Sequence, residues 1–278
     1  MMPDEGTHRD DLRSFAKLVD ALAPWLDQVV IIGGWAHRLY RIHPLAQPLD
    51  YDPLATFDTD VAMPGELPQQ AESMQARLTA RGFEEELLGD MRPPAIHYRL
   101  TAGNAGFYAE FLTPLIGSVN KRGRHDATAP IAGVSAQKLR HIELLLAAPW
   151  KVEVSPATGY PTTDRIPVQI PNPAAFLVQK LLIYDRREPA DRAKDLLYIH
   201  DTIETFGDVL PELRKLWQES VRPLLSPKAR RSIEDAPKVL FSEANDSVRE
   251  AVRMAAGRLH SPLQLIETCE VGLSAILS

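Results

Sequence analysis

Apolar residues recur along this chain at two different periods, and the change from one to the other divides it. Residues 10–23, DDLRSFAKLVDALA, carry Leu12, Phe15, Leu18, Val19 and Leu22 at helical spacing behind an acidic start, which predicts a first helix. QVVII at 28–32 is a β-branched run ending in Gly33-Gly34, and WAHRLYRI then returns to helical character: strand, tight turn, helix. Residues 43–55 hold three prolines and no period, so they read as a loop leading into TFDTDVAM, a second strand at 56–63. The stretch 67–81 suits a helix closed by Gly82, and FEEELL after it a strand. HYRLTAGNAGFYAEFLTPL reads as an antiparallel hairpin around a Gly-Asn-rich turn, with Glu110 in its second arm. An edge or helical segment is expected at 135–147, then two short strands, WKVEV and RIPVQI.

Beyond Pro173 the period is helical throughout. AAFLVQKLLIYDRR, ADRAKDLLYIHDTIETF, LPELRKLWQESVRPLL and SVREAVRMAAGRL are all amphipathic at that spacing. The expected architecture is therefore an α/β domain with a mixed sheet over 1–168, followed by an all-α domain over 169–278. No internal repeat or low-complexity tract interrupts it.

Composition narrows the classes of function. The chain has 278 residues, 45% hydrophobic and 24% charged, enough for a substantial core. A formal charge of −6 argues against a general affinity for nucleic-acid backbone and leaves the question to local charge. The single cysteine, Cys269, excludes an internal disulfide framework and a cysteine-built zinc site, and reads as a small buried hydrophobe. No apolar run approaches a membrane span, and MMPDEGTHRDD is polar and acidic, unlike a secretory signal. A cytoplasmic protein is expected.

The chemistry concentrates in TFDTDVAM. Side chains i and i+2 of a strand share a face about 6–7 Å apart, so Asp58 and Asp60 present two like charges together. Such a pair calls for solvent, a basic partner or a cation. Gly33-Gly34 at a strand-to-helix turn frees backbone N–H groups to face an anion, phosphate above all. Glu110, a carboxylate among apolar neighbours on a later strand, completes an all-oxygen set suited to Mg²⁺.

GGWAHRLY, TFDTDVAM and FYAEFL in this order resemble the nucleotidyltransferase fold of the polymerase-beta superfamily, and PNPAAFLVQKLLIYDRREPADRAKDLLYIHDTI resembles the helical signature of bacterial AbiE-type toxin nucleotidyltransferases and related families. The resemblance covers roughly residues 28–205. It implies that Gly33 and Gly34 bind triphosphate, that Asp58, Asp60 and Glu110 hold Mg²⁺ or Mn²⁺, and that Lys180 and Asp195 line the nucleotide site. The implied reaction moves an NMP group from an NTP to a hydroxyl on a tRNA, protein or small-molecule acceptor. Two other roles stand beside it: a nucleotide sensor or scaffold without turnover, and a toxin with an antitoxin partner. The sequence departs from the pattern in the step of 24 positions from Gly34 to Asp58, which makes 43–55 an insertion, in the polar Thr59, and in Glu110 where aspartate is commoner.

The remaining candidates carry less. Lys180, in an apolar stretch, needs an acceptor, a route to water or a phosphate. Arg186 and Arg187 suit phosphate oxygens, as does Arg38, one turn past the glycines. His37 is as compatible with a helix surface, Trp35 with the core, and Asp191, Arg192 and Lys194 with a solvated face. NKRGRHD, 120–126, is a basic loop open to a solvated turn or an RNA contact. The eight histidines show no convincing zinc spacing.

Overall fold

The computed structural model describes every residue except 1–4, 89–94, 102–105, 118–119, 122–123, 126 and 256, and the backbone alone at 5–9, 95, 120–121 and 124–125. It forms two compact units: 1–42 with 54–171, and 43–53 with 172–278. The proline-rich loop thus belongs with the helical unit.

The first unit is built on a mixed sheet. Its strands are β1 (Val30–Ile32), β2 (Asp58–Ala62), β3 (Phe83–Leu88), β4 (Ala95–Leu100) and β5 (Tyr108–Pro114), in the order β1-β2-β5-β4-β3. β2 and β5 run parallel, while β1–β2, β4–β5 and β3–β4 are antiparallel. Two backbone pieces of the basic loop, β6 (Asn120–Lys121) and β7 (Arg124–His125), pair with each other. The side chains of 120–126 that would decide between turn and RNA contact lie outside the described residues, as does most of the Gly-Asn turn. β8 (Thr128–Ile131) and β9 (Val134–Leu139) follow, with β9 parallel to the end of β5. β10 (Trp150–Val154) and β11 (Ile166–Ile170) form a separate antiparallel pair.

Three helices lie around this sheet before the short α4 (Ile142–Leu145): α1 (Glu5–Leu22), α2 (Gly33–Leu39) and α3 (Met74–Ala80). The helix expected over 67–81 starts only at 74, because Ser73 accepts from the N–H of Ala76 at 3.1 Å and so caps the first turn. The segment 135–147 resolves into both expected alternatives, β9 and then α4.

Pleating gives the sheet two unlike faces. Thr59, Val61, Ala109, Phe111, Tyr98 and Leu100 are buried. Phe15 of α1 stacks on Trp35 of α2 at 4.1 Å, Trp35 meets Phe107 edge-on at 6.0 Å, and Tyr98 meets Phe111 at 5.2 Å. Truncating any of these rings would cost about 3–5 kcal/mol. Residues Asp58, Asp60 and Ala62 alternate to the opposite face and lie in register with Tyr108, Glu110 and Leu112. Its far end is apolar, where Ala62 and Leu112 pack with Val30, Ile32, Ile142 and Leu145. Its near end is acidic.

The second unit holds α5 (Pro173–Ile183), α6 (Pro189–Thr205), α7 (Leu210–Leu216), α8 (Pro227–Leu240), α9 (Asp246–Met254) and α10 (Pro262–Leu277). Proline in the first turn and an Asn or Ser cap start α5, α8 and α10; Asn172 accepts from Ala175 N–H at 2.9 Å. LPELRKLWQESVRPLL is not one regular helix: past α7 it widens into a π turn at Trp217–Val221. Cys269 is fully buried, and burial together with the charges of Asp201 and Glu204 pushes its thiol up.

Candidate active site

The acidic end of the sheet face is assembled by strand register. β2 brings Asp58 and Asp60 to one side, and the parallel pairing sets Glu110 directly beside Asp60. β1 ends at Ile32 opposite Asp60, so the chain turns at Gly33 next to that carboxylate. Gly33 has φ +63°, and a Cβ there would sit 2.2 Å from Asp60 Oδ2. A Cβ on Gly34 would sit 2.8 Å from the side chain of Thr56. The Thr56 hydroxyl donates in turn to Asp58 Oδ1. Both glycines are therefore required by the carboxylate strand itself: one admits Asp60, the other admits the threonine that holds Asp58.

The neighbouring strand supplies groups that the pattern of apolar positions did not reveal. His97 of β4 lies opposite Glu110, and its Nε2 contacts Glu110 Oε1. The imidazole is buried and stacks flat on Tyr108, 4.2 Å between centroids and 7° between planes. Arg99 lies 5.6 Å over the same Tyr108 ring and donates to Glu86 at 2.8 Å.

The crowding of charge shifts the proton affinities of these groups. Burial, and then the charge of Asp58, push Glu110 up to about 7. Tyr108 is pushed up by burial and by Asp58, Glu110 and Asp60, against an opposing Arg99. Burial first and Arg99 second lower His97, which holds it neutral beside Glu110.

The donor set is all oxygen, on one face, with a turn lacking Cβ pressed against it. These residues fit a hard divalent cation with retained waters. Like-charge repulsion keeps such side chains apart, and the three do not close to the 4.8 Å ligand spacing that one other group among the described residues reaches.

That other group is His200, Asp201 and Glu204 on α6, a spacing the histidine pattern did not flag. Arg258 donates to both oxygens of Asp201, at 2.6 and 2.8 Å, and stands 4.0 Å over the ring of Tyr51. Tyr51 donates to Glu204 and, at 3.3 Å, to Asp201. His200 Nδ1 lies 3.0 Å from Asp201 Oδ1. A guanidinium already occupies the cation position, so this is an ion-pair network rather than a metal centre. It anchors 43–53, which Gln47 also ties to α6 through its N–H on Thr205 O at 2.9 Å.

Lys180 and Asp195, expected at the nucleotide site, meet each other. Lys180 Nζ donates to Asp195 Oδ1 at 2.7 Å, and Arg187 Nε donates to Oδ2 at 3.2 Å. Both members of the Lys–Asp pair are buried, with Lys180 also 5.0 Å over Tyr198. Lys180 thus has an internal acceptor instead of snorkelling. Arg186 is exposed, whereas Arg187 reaches into the cluster. Arg192, assigned from sequence to a solvated face, donates to the carbonyls of Arg187 and Asp185. Arg38 is buried with its guanidinium 4.8 Å over Trp35, and His37, compatible in sequence with a helix surface, is 1% exposed.

A mixed sheet with paired acidic strands beside a glycine turn, followed in sequence by a helical unit, is the nucleotidyltransferase class of fold. The nucleotidyltransferase family model matches residues 10–222, more than three-quarters of the chain, and this protein belongs to that family. The match stands at family level and does not single out the AbiE-type branch. No curated protein matches the chain. Among the described residues, no helix is long and apolar enough to cross a membrane.

Proposed function

We propose that this chain transfers an NMP group from an NTP to an acceptor hydroxyl at the face formed by Asp58, Asp60 and Glu110. The observation that carries this reading is the register: three carboxylates on two parallel strands, side by side, with Gly33 against the middle one. Asp58, Asp60 and Glu110 would hold Mg²⁺ or Mn²⁺, which supplies neutralisation of phosphate charge and acidifies the attacking hydroxyl. The acceptor oxygen forms a bond to the α-phosphorus as the α–β bridging bond breaks, and pyrophosphate leaves. Glu110 stands beside Asp60 as a third ligand or as the base that takes the proton from that hydroxyl. Backbone N–H groups at Gly33 and Gly34 orient the distal phosphates. Positioning and electrostatics supply most of the rate.

The test is incubation with each α-labelled NTP, Mg²⁺ or Mn²⁺, and separate RNA, protein and small-molecule acceptor fractions. Label entering one fraction, and lost with Asp58→Ala/Asp60→Ala, supports transfer and names the acceptor class. Undiminished transfer by that double variant overturns the assignment. Metal-dependent NTP binding without pyrophosphate release makes the protein a sensor, and a protein acceptor whose modification arrests growth makes it a toxin.

A further inference from the structure

We infer that His97 is a positioning residue for the metal-binding face, holding Glu110 in place for the cation; this deepens the function proposed above and rests on it. Four observations converge. His97 stands opposite Glu110 in the β4–β5 register, so the backbone itself brings the two together. Its Nε2 lies against one carboxylate oxygen, Oε1, without the alignment of a formed hydrogen bond, has no other partner among the described residues, and leaves Oε2 for a further ligand. Parallel stacking on Tyr108 at 4.2 Å removes the rotational freedom of the imidazole, so the nitrogen cannot swing away from its partner. Finally, the ring is only 6% exposed, which keeps water from competing for the carboxylate. A glutamate has three side-chain torsions, and one allowed to wander would spend much of its time away from Asp60. Fixing one oxygen orders the other before any ion arrives, as partners of metal-binding side chains commonly do.

The ring and the nitrogen can be separated by substitution. H97F keeps the flat stack on Tyr108 and removes the contact to Glu110; H97L removes both; H97Q returns an amide donor near the position of Nε2. Mn²⁺ affinity is read from the free-ion paramagnetic resonance signal, without any turnover, alongside the melting temperature in chelator. The expected result is a Kd for Mn²⁺ about 10-fold weaker in H97F and H97L, and within about 3-fold of wild type in H97Q. Either donor-less variant suffices should the other fail to fold. Equal affinity in wild type, H97Q and whichever donor-less variant folds, with binding still abolished in D58A/D60A, overturns the role of His97 and leaves the proposed function standing. Undiminished Mn²⁺ binding in D58A/D60A overturns the proposed function instead.

Discussion

Two sets of carboxylates in this protein are handled in opposite ways. On α6, Asp195 and Asp201 are wholly buried and each is gripped by cations: Lys180 and Arg187 in one case, Arg258 in the other. On the sheet, Asp58 takes a threonine hydroxyl and Glu110 a histidine held neutral, partners that orient a carboxylate without cancelling its charge. Proton affinities follow the difference. The pull of Asp201 raises Arg258 despite its burial, whereas burial and the charge of Asp58 raise Glu110. Carboxylates that hold the fold together come with their counter-charge built in. On the function proposed above, those on the sheet are left for a cation from solution to meet, and the contrast separates acids that hold the fold from acids that bind.

Substitutions can break or sharpen that contrast, beginning with the largest effect. Asp58→Asn with Asp60→Asn should lower nucleotidyl transfer by at least about 10³-fold, while the melting temperature holds or rises as repulsion is relieved. Lys180→Met and Arg258→Met should do the reverse, each removing about 3 kcal/mol of stability because a buried aspartate loses its main cation; denaturant unfolding measures it. Gly33→Ala should cost about 2 kcal/mol and lower transfer as well, since the new methyl displaces the Asp60 carboxylate.

Glu110→Gln tests the field around the sheet acids. Folded Glu110 keeps its proton to about pH 7, against 4.5 for its ordinary value. Its contribution is therefore fully present below about pH 4.5 and lost as pH rises through about 7. Melting curves in chelator should show wild type losing about 2 kcal/mol across that window, after discounting for partial solvation, and Glu110→Gln showing no such loss. The smallest effect belongs to Arg186→Ala, an exposed side chain whose loss should leave the melting temperature unchanged.

How much of this could be read from the chain differs by the range of the interaction. The strand at Val30–Ile32, the Gly-Gly turn, the Asp58–Asp60 pair and the hairpin carrying Glu110 all announce themselves through local period and turn chemistry. The glycines were legible as a turn, but not for their reason, because the atoms that exclude a Cβ belong to Thr56 and Asp60. His97 was missed because its partner lies across a hairpin whose register no local pattern specifies. Arg258 and Tyr51 meet across more than two hundred residues, and neither carries a motif. The helix expected over 67–81 forms only from Met74, because the Ser73 cap sets its start.

The excursion of residues 43–53 has a practical side for anyone dividing this protein. The polypeptide crosses between its two units at 42–43, again at 53–54, and again at 171–172. A single cut at 171 therefore yields no self-sufficient halves: the front piece would trail an eleven-residue strap whose tyrosine and glutamine have lost Glu204, Thr205 and Arg258, and the back piece would lack those two partners. Dissection calls for excising the strap from one piece and supplying it to the other as a separate peptide.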